Sequence, residues 1–86
     1  MTNYSTLGAS HRFTPKELGE FEEATGLLQR VRSSEHALIL QFEWADLRIE
    51  PDPSQYESFG QTLKDCVGKN IAILRTRENQ FLVRHL

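Results

Sequence analysis

Cysteine is almost missing from this chain, since Cys66 stands alone among 86 residues. One thiol closes no internal disulfide and builds no thiolate cage for a metal, which fits a reducing cytoplasm. Long hydrophobic runs are missing too. Nothing approaches the run of about 18 apolar residues needed to cross a bilayer, so no membrane partner is expected. Residues 1–12 lack the apolar stretch of a secretory signal, and the expected location is cytoplasmic. Strong charge of either sign is absent as well, with a net charge of −2. That balance gives no bulk electrostatic signal for nucleic acid or membrane. What is present is an apolar fraction of 38%, enough for one core in a chain of this size.

Residues 1–12 show no period of 2 or 3.6 and read as a disordered tail, leaving 13–86 as one small β-barrel domain. Thr14, Pro15 and Glu17 have the spacing of an N-cap, a first helical residue and a capping-box partner, with Phe13 and Leu18 placed as a hydrophobic staple. This predicts a helix over 15–25 carrying Leu18, Phe21 and Ala24 on one stripe and stopped by Gly26. Glu20, Glu22 and Glu23 form its solvated face. From residue 27 the period becomes 2, predicting strands over 27–32, 37–44 and 47–50 with a turn at 33–35. Pro51 and Pro53 end that run. Asp52 as N-cap and Pro53 at the first turn start a second helix over about 53–67, with Tyr56, Phe59, Leu63, Cys66 and Val67 on one face and Gly68 as its stop. Strands over 70–76 and 80–86 follow.

The expected fold is mainly β with two helices (α+β), a small five-stranded barrel preceded by a short N-terminal helix. The order of three strands, a helix and two strands over residues 27–86 resembles the OB-fold, a partly open Greek-key barrel whose helix plugs one end. The segment Leu63-Lys64-Asp65-Cys66-Val67-Gly68-Lys69-Asn70-Ile71, in which a helix runs through a glycine into a strand, carries the resemblance with that order. It implies that the strand at 70–76 pairs with both the strand at 27–32 and the strand at 80–86.

Phosphate-cradling, zincin and nucleophile-elbow motifs are all absent, so no catalytic residue, metal ligand or cofactor is expected. His11, His36 and His85 are scattered. Cys66, on the apolar stripe near a helix C-terminus, reads as a buried small hydrophobe rather than a reactive thiol. Charge is segregated, however: residues 1–26 and 27–52 each carry −2, whereas 53–86 carry +2. The sheet's cations are nearly all arginine, whose planar fork binds phosphate bidentately and stacks on bases. Arg30 and Arg32 share one face of the first strand and Arg75 and Arg77 one face of the fourth, with Arg84 on the fifth, so in an OB-like barrel these would gather on one flank. Trp44 offers a stacking platform with Arg48 across the turn. Alternatively, these cations simply pair with carboxylates such as Glu43, Glu50 and Glu78 across strands.

Two functions are expected from these residues. One is a small nucleic-acid-binding module, for a single-stranded ligand, using Arg30, Arg32, Trp44, Arg48, Arg75, Arg77 and Arg84. The other is a non-catalytic protein-interaction or regulatory module that docks a protein partner through the N-terminal helix or a sheet edge.

Overall fold

The computed structural model describes residues 15–86. Its elements are β1 (Lys16–Glu17), β2 (Glu23–Ser34), β3 (Ala37–Phe42), β4 (Asp46–Ile49), a 3-10 turn (Pro53–Gln55) leading into α1 (Tyr56–Lys64), β5 (Asn70–Arg77) and β6 (Gln80–His85). The strands form one sheet in the order β1-β4-β3-β2-β5-β6.

That sheet curls because β2 is long enough to serve two partners. Glu23 to Leu27 pair antiparallel with Leu74 to Asn70 of β5. Leu28 to Ser34 pair with Phe42 to Ala37 of β3, with a register shift between Leu28 and Arg30. A bulge bends its strand and increases the local twist, so the two halves of the sheet turn toward each other around one core. Alternation along each strand fills that concave side with Ala24, Leu28, Leu38, Leu40, Phe42, Leu47, Ile49, Ile71 and Ile73. The result is a small half-barrel.

Helix α1 covers the concave side. Its cap follows the sequence signal: the Asp52 side chain accepts from the Ser54 N–H at 2.9 Å and from the Ser54 hydroxyl at 2.8 Å. Those two bonds, the backbone one foremost, hold the Asp52 carboxyl below its ordinary range. Leu63 and Cys66 lie buried in the core. Tyr56 donates its hydroxyl to Ala37 O at 2.9 Å, and Phe59 meets Phe81 with ring centroids 6.1 Å apart. Gly60 is buried facing Leu38 of β3 with room for a methyl group, since a Cβ there would meet Leu38 at an ordinary contact distance of 3.6 Å. Among the described residues, no helix is long and apolar enough to cross a membrane.

The five-stranded, two-helix expectation is corrected to six strands and one helix among the described residues. The helix expected over 15–25 does not form. Lys16 and Glu17 instead pair parallel with Leu47 and Arg48, the chain turns with Glu22 N–H donating to Gly19 O at 3.1 Å, and β2 begins at Glu23. Tertiary pairing overrides the local cap signal because β5 satisfies the backbone of residues 23–27 and places Ala24 in the core by strand alternation. Leu18 and Ala24 are buried while Phe21 is 76% exposed, so the three never form a stripe. Phe13 and Thr14, like the tail over 1–12, lie outside the described residues.

Phe21 takes the third position of that turn at φ 61°, a left-handed conformation that favours glycine. Leu18→Ala is expected to cost about 2 to 5 kcal/mol through an unfilled core site. Phe21→Gly should leave stability unchanged or raise it by up to about 1 kcal/mol, as left-handed strain is relieved against greater unfolded-chain entropy. Urea unfolding of the two variants beside the parent checks both values.

Candidate interaction surfaces

Two bulges decide where the arginines go. Beyond the register shift in β2, Arg30 stands opposite Gln41 and Arg32 opposite Ile39. Gln41 and Ile39 in turn face Asp46 and Arg48 of β4. Arg32, Ile39 and Arg48 therefore form one cross-strand row on the convex side, with Arg30, Gln41 and Asp46 in the next. Arg48 is tied by ion pairs to Glu50 and, at 3.5 Å, to Glu17. The hydrogen bond to Glu50 comes first in raising its already high pKa. Among the described residues, Arg30 and Arg32 have no ion-pair partner.

The second shift lies between Arg75 and Arg77 of β5. Arg75 pairs with Phe81 and Arg77 with Gln80, and adjacent residues of β6 point to opposite sides. Arg75 and Arg77 are thus separated, contrary to the expectation that they share a face. Arg75 lies on the same side of β5 as Ile71 and Ile73, at the mouth of the half-barrel. Its guanidinium donates through Nε to Arg77 O at 3.2 Å, through Nη1 to Leu18 O at 2.5 Å and through Nη2 to Glu78 O at 3.0 Å. The planar fork that could bind phosphate is occupied by backbone carbonyls.

These bonds help to close a seam where the sheet has no ladder. Asp52 N–H donates to Asn79 O at 3.0 Å across it, whereas Phe21 N–H to Arg75 O at 2.6 Å and Arg75 N–H to Glu22 O at 3.0 Å continue the β2–β5 pairing. The Asn79 amide, with its nitrogen toward the backbone, donates to Glu50 O at 3.0 Å. A polar cleft of about 230 Å³ remains in this seam, lined by Arg48, Arg75, Glu78 and Phe81 among others.

Trp44 is 45% exposed, yet its ring is largely committed. It stacks on Phe42 at 5.6 Å between centroids and 16° between planes, and Lys16 Nζ lies 5.8 Å from its centroid. Its Nε1–H donates to Thr25 O at 2.9 Å. Gly26 makes that position accessible, because a Cβ there would come 2.6 Å from Trp44 Nε1. Trp44 therefore seals one end of the core. Arg84, on the convex side of β6, pairs with Glu23 at 3.3 Å. The seven expected site residues are thus dispersed: Arg30, Arg32 and Arg48 share the convex side of the β2-β3-β4 half, while Arg75, Arg77, Arg84 and Trp44 lie elsewhere.

The sequence reading missed the edge at β6. Among the described residues only one side of this strand is paired, and Leu82 is 61% exposed. Leu82 faces Leu74, which faces Glu23 across β5, so a convex apolar row ends at the free edge. The available signal was Phe81-Leu82-Val83, three consecutive apolar residues in a strand that alternation should make half polar. Among the described residues, no group of three or more histidine, cysteine or carboxylate side chains is arranged to hold a metal ion. A cleft of about 690 Å³ is lined by residues including Glu35, His36, Glu50, Tyr56 and Glu57.

Comparison of the chain with protein families, curated proteins and solved structures finds no match in any of the three. Arg75→Gln should cost about 2 kcal/mol, because carbonyls at the seam lose a charged donor. Arg32→Gln, on the convex side, should stay within about 0.5 kcal/mol of the parent. Thermal unfolding of both variants provides the measurement.

Proposed function

We propose that the chain is a non-catalytic protein-docking module that accepts an extended partner segment on the free edge of β6. The observation that carries this reading is the unprotected edge itself. Sheet edges in soluble proteins are ordinarily blunted by lysine, proline, a bulge or an inward charge. The strand Gln80–His85 contains neither lysine nor proline, its one arginine, Arg84, is paired with Glu23 of its own sheet, its hairpin's bulge lies on β5, and Leu82 stands exposed in its middle. Strand addition gains affinity from main-chain bonds and specificity from alternate side chains. Here those side chains would be Leu82 and Arg84 on one side, Phe81 and Val83 on the other.

The test is a display library of extended peptides, with amide exchange measured on the complexes recovered. Bound peptides should slow exchange at Phe81, Val83 and His85. A library without binders, or binders that leave those three amides unchanged, would overturn the reading.

A second reading has its own observation, the neighbouring Arg30 and Arg32 on the convex side, which have no ion-pair partner among the described residues. They support a weak site for single-stranded nucleic acid of the kind OB-like barrels bind, with Arg77 as a further candidate outside their row. Two neutralised phosphates would give a slope of about −1.4 in log K against log salt. Fluorescence titration at several salt concentrations should return that slope and lose it in the Arg30→Gln, Arg32→Gln double variant. An absence of binding at about 50 mM salt rejects the site.

A further inference from the structure

The backbone of β6 offers its bonds outward at alternate residues, and one hydrogen bond fixes which. Leu86 N–H donates to Asn70 O at 3.0 Å. In an antiparallel pair the inward-bonding residues alternate, so Leu86, Arg84, Leu82 and Gln80 bond toward β5. Phe81, Val83 and His85 therefore direct their N–H and C=O groups to the open side.

We infer that the occupant of this edge is a second copy of the chain, paired antiparallel through β6 about a two-fold axis at Leu82. The inference rests on the edge-docking reading above and names its partner. A two-fold axis perpendicular to the sheet keeps convex facing convex, which confines the pairing to registers that join residues of equal parity. With Leu82 opposite Leu82, Phe81 meets Val83 of the second copy in a mutually bonded pair, and Val83 meets Phe81. Gln80 faces Arg84. Every row then joins apolar to apolar or neutral to charged.

Side-chain matching and charge favour this register over those shifted toward the C-terminal end of β6. Shifting the centre to Val83 places Arg84 opposite Leu82, and shifting it to Arg84 sets two guanidiniums face to face, which is destabilising. Centred on Leu82, the two Arg84 residues stand about 14 Å apart along the strands, beyond the screening length of about 8 Å at physiological salt. Each is also neutralised within its own copy by Glu23 at 3.3 Å. The convex row becomes Glu23-Leu74-Leu82 followed by Leu82-Leu74-Glu23 of the partner, an apolar centre with an acid at each end.

The edge is short, so association is expected to be weak, with dimer growing in between roughly 10 µM and 1 mM protein. Sedimentation velocity across that range should show a monomer–dimer equilibrium. Leu82→Arg, which sets two cations on the axis, should leave monomer throughout. Val83→Pro should do the same, because the Val83 N–H bonds to nothing in its own sheet.

A cross-link tests the register. Opposed residues in a non-bonded antiparallel pair have Cα atoms about 4.5 Å apart, within disulfide range. Leu82→Cys should oxidise to a covalent dimer at least tenfold faster than Arg84→Cys, while the native Cys66 is buried. Equal rates at the two positions, monomer at 1 mM, or a dimer that survives both Leu82→Arg and Val83→Pro would each overturn the proposal. If the chain stays monomeric while peptides still slow exchange at Phe81, Val83 and His85, self-pairing falls and the docking edge stands. If neither is seen, both fall.

Discussion

One strand has to satisfy both halves of this sheet, and most of the architecture follows from how β2 does so. Residues 23–27 bond to β5 and residues 28–34 bond to β3. A flat strand could not face both partners around a common core. The register shift near Gln29 supplies the bend, and Gly26 leaves room for Trp44 to lie across the strand just before it. With β2 bent, the apolar sides of both halves converge, and α1 and the turn after it bring Leu63 and Cys66 to cover them. No comparable ladder closes the opposite side, where Arg75, Asn79 and Asp52 supply side-chain and loop bonds instead.

The elements whose signals are local were legible in the sequence. Asp52, Pro53 and the stripe of Tyr56, Phe59, Leu63 and Cys66 predict a helix that forms over 53–64 including its 3-10 turn. The strand at 70–77 pairs with the last strand as expected, but its other partner is residues 23–27 rather than the strand expected over 27–32. The N-terminal helix was misread because its start signal at Thr14, Pro15 and Glu17 is also local, whereas the competing force, pairing with β4 and β5, joins residues distant in the chain. Gly19 already weakens a helix there by about 1 kcal/mol, and Phe21 accepts a left-handed conformation in the turn that replaces it.

The candidate site was legible only in part, because a face assignment survives until the first bulge. Arg30 and Arg32 both follow the shift in β2 and stay together, as counting by twos predicts. Arg75 and Arg77 straddle the shift at Thr76 and come apart. Composition likewise says nothing of whether an arginine is spent internally. Arg75 on carbonyls, Arg48 on two glutamates and Arg84 on Glu23 all look like free cations in the sequence. The edge position of β6 depends on the whole strand order, so no inspection of Phe81-Leu82-Val83 alone distinguishes an interior strand from an exposed one.

The closure opposite β2 has a consequence for motion. A strand ladder opens only when many bonds break together, but this seam is held by contacts that can be lost one at a time: the Arg75 fork, the Asp52 N–H and the Asn79 amide. The arrangement permits a parting of β1 and β4 from the β5-β6 hairpin, with β2 as the hinge and the ladders on either side intact. Sub-global opening of this kind lies below the free energy of full unfolding. It would bring the buried faces of Leu18, Ile49 and Phe81 into transient contact with water while Leu28 and Leu40 stay dry.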